Sequence, residues 1–272
     1  GGMIPVVLTV GALDPLGADG LAADLRSFAA LGVHGAAAAT LVGDPAEALE
    51  PARVANQIGA ALGGGRVAAV KLGALGSAAV ARAVAEALSG LDAPVIADPS
   101  LAGREGGAAD PAFVATWRAA VLPLATVVTP NLAEAALLTG TPRATMRGEM
   151  MAQAEALVGL GCAHAVVSGG HGAGETSTDI IASRDRPAME MRAERLERGA
   201  MRGLSATFAS AIAAHAAHGI ALFEAVQFAK LFVSNAIGEA EREGADGQPL
   251  FPNQMARMWR RAGSEGGVGG GA

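Results

Sequence analysis

A loop of small residues that runs into an amphipathic segment is the first place in this sequence where chemistry can be expected. In residues 198–218, Gly203 marks a turn, Ser205 can cap the helix that follows, and Phe208 and Ile212 share one helical face. The start of a helix presents free backbone N–H groups and the positive end of the helix dipole. The segment therefore predicts a site for an anion such as phosphate, although many loops enter helices without binding anything.

A second set of polar residues follows the apolar runs that read as strands. Asp98, Asn131 with Glu134, and Ser168 each come directly after such a run. In an open α/β sheet, ligands collect at the carboxyl ends of the strands. Two carboxylates and a carboxamide near an anion site would hold a hydrated Mg²⁺ beside the phosphates of a nucleotide. The alternative is that Asp98 and Asn131 only cap helices or turns, and that Glu134 is an ordinary first-turn residue.

These residues need a scaffold that brings strand ends together, and the rest of the chain predicts one. Apolar runs rich in β-branched residues, beginning with residues 4–10, alternate with helical patterns. This alternation predicts one α/β domain over residues 3–262 with a mostly parallel central sheet. The alternation breaks at residues 178–182 and 189–193, which are expected to be a pair of edge strands. Residues 263–272 are rich in glycine, lack apolar groups able to pack, and are expected to be disordered.

The composition argues against several classes of function. The 272 residues carry a net charge of −6 without long charged runs, so a basic surface for nucleic acid or anionic lipid is not expected. No apolar run reaches the roughly 18 residues that a membrane span needs. The single cysteine, Cys162, rules out an intramolecular disulfide and is expected to be a core thiol in a cytoplasmic protein.

Six stretches of the sequence together carry a resemblance to a known family. They are ALDPLGADGLAADL from Ala12, ALGVHG from Ala30, VKLGALGS from Val70, ATVVTPNLAEAALLTG from Ala125, VSGGH from Val167 and ATFASAIAA from Ala206. The chain resembles the hydroxymethylpyrimidine/phosphomethylpyrimidine kinase family of thiamine biosynthesis, a branch of the ribokinase-like kinases that includes pyridoxal kinases. The resemblance extends from Val6 to about Ile237.

The resemblance implies a fold, an activity and a set of site residues. The implied fold is a ribokinase-like α/β domain, with a mostly parallel central sheet flanked by helices on both faces. The implied activity is the phosphorylation of a small pyrimidine alcohol or its monophosphate, with ATP and Mg²⁺, by a protein that is commonly a homodimer. The residues implied for the substrate are Ala12, Asp14, Asp19, Asp24, Pro45 and Ala74. Those implied for ATP and Mg²⁺ are Asp98, Asn131, Glu134, Ser168 and Gly170, with Asp98 and Glu134 reaching the metal through water. Those implied for the anion hole and the catalytic base position are Arg202, Gly203, Ser205 and Ala206.

The departures from the family pattern fall in this site. The proton-accepting cysteine of the family is replaced by Ala206, and the second glycine of its loop is Ser205. Ser168 stands where the family has a lysine, and Pro45 where it has a glutamine that contacts the pyrimidine. Arg202 is new in the loop and would supply positive charge. Two hypotheses follow: an active kinase, with the family's substrate or an altered one, or a non-catalytic relative that keeps the fold and binds a ligand or partner.

Overall fold

The structure is a computed structural model, and it describes residues 3–43, 46–101, 108–169, 176–194, 201–240 and 251–255. The strands are β1 (Val6–Leu13), β2 (His34–Val42), β3 (Glu47–Ala48), β4 (Val67–Leu72), β5 (Val95–Ala97), β6 (Val127–Val128), β7 (His164–Ser168), β8 (Thr176–Ser183) and β9 (Arg186–Glu194). The helices are α1 (Gly20–Ala30), α2 (Pro51–Gly63), α3 (Ala78–Ala87), α4 (Pro111–Thr116), α5 (Leu132–Thr139), α6 (Arg147–Gly159), α7 (Leu204–Ala217) and α8 (Leu222–Gly238). A π-helical turn at Trp117–Val121 extends α4.

The described strands form one sheet in the order β3-β2-β1-β4-β5-β6-β7-β8-β9. Five neighbouring pairs, from β2–β1 through to β6–β7, are parallel. Antiparallel pairing occurs at the two ends of the sheet, where β3 joins β2 and where β8 and β9 follow β7. The prediction of a mostly parallel sheet that ends in a pair of edge strands is therefore confirmed.

Helices cover both faces of the sheet because successive side chains of a strand point to opposite faces. Leu8 and Val10 of β1 belong to a hydrophobic cluster that also contains buried residues of α2 to α6. Val7, which directly precedes Leu8 in the strand, belongs to a second cluster with buried residues of α1, α7 and α8. The two clusters lie on opposite faces, which confirms the expected arrangement of helices around the sheet.

Other expectations have mixed outcomes. Cys162 is fully buried, as expected for a core thiol. None of the helices in the described part of the chain combines the length and apolar character that a membrane crossing needs. The proposed end of the domain at residue 262 and the Gly-rich tail at residues 263–272 lie outside the described residues, so both stay predictions.

Candidate active site

A cavity of about 410 Å³ lies at the carboxyl ends of the central strands. Its walls come from the loop after β1, the segments that follow β2, β4, β5 and β6, and the first turn of α7. The lining residues that the sequence had indicated are Ala12, Asp14, Asp19, Ala74, Asp98, Asn131, Glu134, Arg202, Ser205 and Ala206. Residues separated by almost 200 positions in the chain therefore share one cavity.

The first turn of α7 forms one wall. Gly203 is the N-cap residue, with φ of 77°, and it provides no side-chain cap. A Cβ at this position would come within 2.1 Å of the carbonyl oxygen of Ala18, so only glycine fits here. The first backbone bond of the turn joins Thr207 N–H to the Gly203 carbonyl at 2.9 Å. The N–H groups of residues 204–206 therefore have no backbone partner in the described chain and are available to an anion.

Ser205 was expected to cap α7, and that expectation is wrong. It is the second residue of the helix, after Gly203 and Leu204, so its hydroxyl does not cap the turn. Instead, Ser205 Oγ donates a hydrogen bond of 2.5 Å to Asp98 Oδ1. This bond connects the anion-binding turn to the acidic wall of the cavity.

Asp98, directly after β5, forms part of that acidic wall and is 6% exposed. It also accepts a hydrogen bond of 3.0 Å from the hydroxyl of Thr129. Burial raises the pKa of Asp98 to about 6, although the charge of Lys71 and the bonds from Ser205 and Thr129 act in the opposite direction. The charge of Lys71 and the hydroxyl groups of Ser205 and Thr129 therefore offset part of the cost of burying the charged carboxylate.

Asn131 and Glu134 form a capping box at the start of α5. Asn131 Oδ1 accepts from the N–H groups of Ala133 and Glu134, at 2.9 and 3.0 Å, and Glu134 Oε2 accepts from Asn131 N–H at 3.0 Å. Both residues also line the cavity. Burial and then the charge of Asp98 raise the pKa of Glu134 to about 8, against hydrogen bonds from backbone groups of Asn131 and Leu101. The capping alternative is therefore correct for these two residues, and it does not remove them from the site.

The donor set fits Mg²⁺. The carboxyl groups of Asp98 and Glu134 are 6% and 9% exposed and line the same cavity. Burial raises the pKa of each group, because it disfavours the charged form. A hard divalent cation relieves that penalty, and Mg²⁺ commonly binds through one or two carboxylates, with water and substrate phosphates as its other ligands. The described residues contain no group of three or more His, Cys, Asp or Glu side chains placed around a metal. A site of two carboxylates is consistent with the water-mediated contacts that the resemblance implies.

Lys71, at the end of β4, lines the cavity, and the sequence analysis did not assign it a role. It is 1% exposed, and Nζ lies 3.0 Å from one oxygen of Asp24 and 3.1 Å from the other. Burial alone lowers the pKa of Lys71, but the charges of Asp24 and Asp98 outweigh it and leave that pKa above its ordinary value. A lysine within the otherwise apolar run VAAVKL was the available signal for a buried charge.

The resemblance implies that Asp24 contacts the substrate, and the structure shows it paired with Lys71. It is fully buried in α1 and is not among the described residues that line the cavity. Besides Lys71, its carboxylate accepts hydrogen bonds from the hydroxyls of Thr9 and Ser210, at 2.5 and 2.7 Å. The structure therefore gives Asp24 a direct contact with the lysine of the cavity wall, and none with the cavity itself.

The loop after β1 forms another part of the cavity wall. The carboxylate of Asp14 accepts three backbone N–H groups, from Leu16, Ala18 and Asp19, at 3.0 to 3.2 Å. Arg202 lies 3.5 Å from the same carboxylate, so this loop is joined to the segment before α7. Leu16 is 69% exposed and does not cover the first turn of α7.

Besides Asp24 and the N-cap residue Gly203, three residues that the sequence had indicated are not among the described residues that line the cavity. Ser168 ends β7, where its N–H donates to the Pro130 carbonyl at 3.0 Å, and it does not line the cavity. Pro45 and Gly170 lie outside the described residues, so their roles stay predictions.

Comparison with known proteins identifies the family. The family model described as phosphomethylpyrimidine kinase matches residues 14–250. A hydroxymethylpyrimidine/phosphomethylpyrimidine kinase from Rhizobium meliloti is 36% identical over 248 residues, which cover 88% of this chain and 93% of the relative.

Two solved structures show the same fold. Bacillus subtilis pyridoxal kinase in an ADP complex has a TM-score of 0.86 at 25% identity, and the match covers 94% of this chain and 100% of that one. Staphylococcus aureus pyridoxal kinase, in complex with AMP-PCP and pyridoxal, has a TM-score of 0.84 at 27% identity and coverages of 93% and 94%. The ribokinase-like fold is thus confirmed, and the chain belongs to the phosphomethylpyrimidine kinase family.

Proposed function

We propose that this chain is an ATP-dependent kinase that transfers a phosphoryl group to hydroxymethylpyrimidine or to its monophosphate. The observation that carries the proposal is the first turn of α7: Ser205 and Ala206 line the same cavity as Asp98 and Glu134, and the N–H groups of residues 204–206 have no backbone partner among the described residues. A phosphoryl group held at those amides would lie within reach of the carboxylates that suit Mg²⁺. The acceptors are those in the name of the Rhizobium meliloti relative.

The neighbours in the solved structures support a site for two ligands. The Bacillus subtilis enzyme is a complex with ADP, and the Staphylococcus aureus enzyme holds AMP-PCP together with pyridoxal. We assign the wall that contains Asn131 and Glu134 to the nucleotide, and the wall formed by the loop after β1 to the acceptor. Both assignments follow the resemblance, and a cavity of about 410 Å³ with polar groups on both walls is compatible with them.

The residues of the cavity provide positioning and charge. In the reaction, an acceptor oxygen forms a bond to the terminal phosphorus of ATP, the bond to the bridging oxygen breaks, and ADP leaves with that electron pair. The amides at the start of α7 would stabilise the charge on the transferred group, and the positively charged Lys71 lines the same cavity. Mg²⁺ held by Asp98 and Glu134 would neutralise phosphate charge.

Ala206 has no atom that accepts a proton, so an alcohol acceptor would have to lose its proton without help from this position. General base catalysis is worth about 10²- to 10⁴-fold in rate. Phosphoryl transfer depends mainly on positioning and electrostatics, so the loss of the base slows the reaction without abolishing it.

A coupled assay of ADP release tests the proposal. Hydroxymethylpyrimidine, its monophosphate and pyridoxal are supplied separately with Mg²⁺ and ATP, and turnover is expected with at least one of the two pyrimidines. If calorimetry shows that nucleotide and acceptor both bind but no ADP forms with any acceptor, the chain is a non-catalytic relative instead.

The homodimer and the cytoplasmic location that the sequence analysis expected stay predictions. Phe228 and Leu231 on α8 are 45% and 62% exposed, which supports an apolar contact surface there. Size-exclusion chromatography with light scattering would measure the mass of the assembly, and a monomer at micromolar concentration would contradict the dimer.

A further inference from the structure

Two cationic side chains, Lys71 and Arg202, line the cavity among the described residues, and they differ in burial and in the number of carboxylate oxygens that they contact. Lys71 is 1% exposed and contacts both carboxylate oxygens of Asp24. Arg202 is 55% exposed, and its guanidinium makes one contact of 3.5 Å, with Asp14 Oδ2. Arg202 is therefore the cation that an incoming anion can reach without disturbing the core.

Asp14 does not depend on Arg202 for compensation of its charge. Its Oδ2 accepts the N–H groups of Ala18 and Asp19, at 3.0 and 3.1 Å, and its Oδ1 accepts that of Leu16 at 3.2 Å. An ion pair with one half-exposed partner and a single long contact contributes little to stability. Arg202 can thus leave Asp14 for an anionic ligand at small energetic cost.

The residue at the base position affects the two possible acceptors differently, because only the alcohol has to lose a proton during the reaction. Ala206 lines the cavity, is 3% exposed, and offers only a methyl group. An alcohol must lose its proton during phosphoryl transfer, and no side chain at this position takes it. A phosphate monoester, whose second ionisation lies near pH 6, is mostly a dianion at neutral pH and has ionised oxygens ready to attack.

We propose that Arg202 is a specificity-determining residue that binds the phosphate of an already phosphorylated acceptor, so that the site favours the pyrimidine monophosphate over the alcohol. This inference rests on the proposed function. An oxygen of the acceptor phosphate bonds to the terminal phosphorus of ATP, the bond from that phosphorus to the bridging oxygen breaks, and ADP leaves with the electron pair. No proton has to be removed, so the absence of a base at Ala206 does not slow this step.

A phosphate group near Arg202 has two sources, the acceptor and ATP, and the position of Arg202 favours the acceptor. Its partner Asp14 belongs to the loop after β1, which we assign to the acceptor. Asn131 and Glu134, which we assign to the nucleotide, begin α5 after a different strand, β6. The two sources predict different kinetics when Arg202 is changed.

The experiment measures kcat and KM for hydroxymethylpyrimidine, for its monophosphate and for ATP, in the wild type and in R202Q, A206C and R53Q. Arg53 is an exposed arginine of α2 outside the cavity, and R53Q controls for the loss of one positive charge. R202Q is expected to lower kcat/KM for the monophosphate by about 10- to 100-fold, the equivalent of one charged hydrogen bond. The same variant should lower kcat/KM for the alcohol by a clearly smaller factor than for the monophosphate, and it should leave KM for ATP within about twofold.

A206C is expected to change the rate with the alcohol, because a thiolate at this position can accept the alcohol's proton, whereas the dianion has no proton to lose. Its kcat for the alcohol should rise, while its kcat for the monophosphate stays at the wild-type value. Equal losses for both acceptors in R202Q, together with a raised KM for ATP, would assign Arg202 to the nucleotide and overturn the inference. A wild type that prefers the alcohol would overturn it as well.

Binding measurements separate this inference from the proposed function. If the wild type turns over neither acceptor, the proposed function fails, and titration calorimetry without ATP still decides the role of Arg202. Tighter binding of the monophosphate than of the alcohol, lost in R202Q and kept in R53Q, supports the inference. Equal affinity of the wild type and R202Q for the monophosphate contradicts it.

Discussion

Glu134 both caps a helix and contributes a carboxylate to the cavity, and one substitution separates the two roles. In E134Q the amide oxygen still accepts the N–H of Asn131, and a buried ionisable group is replaced by a neutral one, so the melting temperature should not fall. Turnover should drop roughly a hundredfold if the carboxylate acts on the transferred phosphate through Mg²⁺.

Glu149 offers a control for this prediction, because its carboxylate likewise accepts backbone N–H groups at the start of α6, outside the cavity, although the N-cap residue Met146 provides no side-chain cap. Its carboxylate accepts the N–H groups of Thr145 and Met146, at 2.7 and 3.2 Å. E149Q should therefore keep full turnover. Unchanged turnover in E134Q would leave Glu134 with the capping role alone.

A substitution at Asp24 distinguishes two roles for this residue, a structural ion pair with Lys71 and a direct contact with the substrate. D24N keeps one acceptor oxygen, for the hydroxyl of either Thr9 or Ser210, and it leaves the buried ammonium of Lys71 without its counter-charge. Breaking a buried ion pair in this way destabilises a protein by about 3–5 kcal/mol, which denaturant unfolding would measure. A variant that keeps its stability and only raises KM for the acceptor would show instead that Asp24 contacts the substrate directly.

The first turn of α7 depends on a backbone geometry that only glycine supplies. G203A places a Cβ 2.1 Å from the carbonyl oxygen of Ala18 and also forces alanine to a φ of 77°. Gly219, just after the end of α7, has nearly the same φ of 80° but no atom within 4 Å of an added Cβ. G219A should lose about 1–2 kcal/mol for the left-handed conformation, and G203A clearly more, because its turn must also move.

The same pair of variants tests the anion site. Displacing the turn moves the N–H groups of residues 204–206, so G203A should bind pyrophosphate more weakly than the wild type in a calorimetric titration, whereas G219A should bind it as the wild type does. Equal affinity of all three proteins would show that these amides do not hold the anion.

The way α7 begins also shows where local patterns fail. Ser77 caps α3 as expected, and its hydroxyl accepts the N–H of Val80 at 3.2 Å. Ser205 looked like a cap on the same local grounds, but the N-cap residue of α7 is Gly203, two positions earlier. The close approach of Ala18, almost 200 positions away, fixes that turn, and no feature of the segment alone indicates it.

For the molecule as a whole, the proposal predicts ligand-linked stability. Mg-ATP at a hundred times its dissociation constant should add about 2.7 kcal/mol to the free energy of unfolding. A thermal shift with millimolar Mg-ATP would detect this gain, and E134Q should reduce it while E149Q does not. No shift at millimolar nucleotide would count heavily against a kinase.

The alternation of apolar runs and helical patterns predicted the α/β class, the mostly parallel sheet and its pair of edge strands, because these features follow from local periodicity and short connections. The six motifs predicted which residues lie at strand ends. The sequence did not predict the strand order, because that order depends on which strands pair when they are distant in the chain. The two-residue strand β3 is also too short to show any periodicity.

Side-chain partners depended on the folded chain for a similar physical reason. The sequence contains Asp24 and Lys71, Ser205 and Asp98, and Arg202 and Asp14, but each pair joins residues from 47 to 188 positions apart. Such pairs form only when packed strands and helices exclude water between them, so their existence is a property of the assembled cavity. The residue types indicated that the loop before α7 could bind an anion. The three-dimensional packing determined that Lys71 is buried in an ion pair, whereas Arg202 is half exposed and can contact an anion.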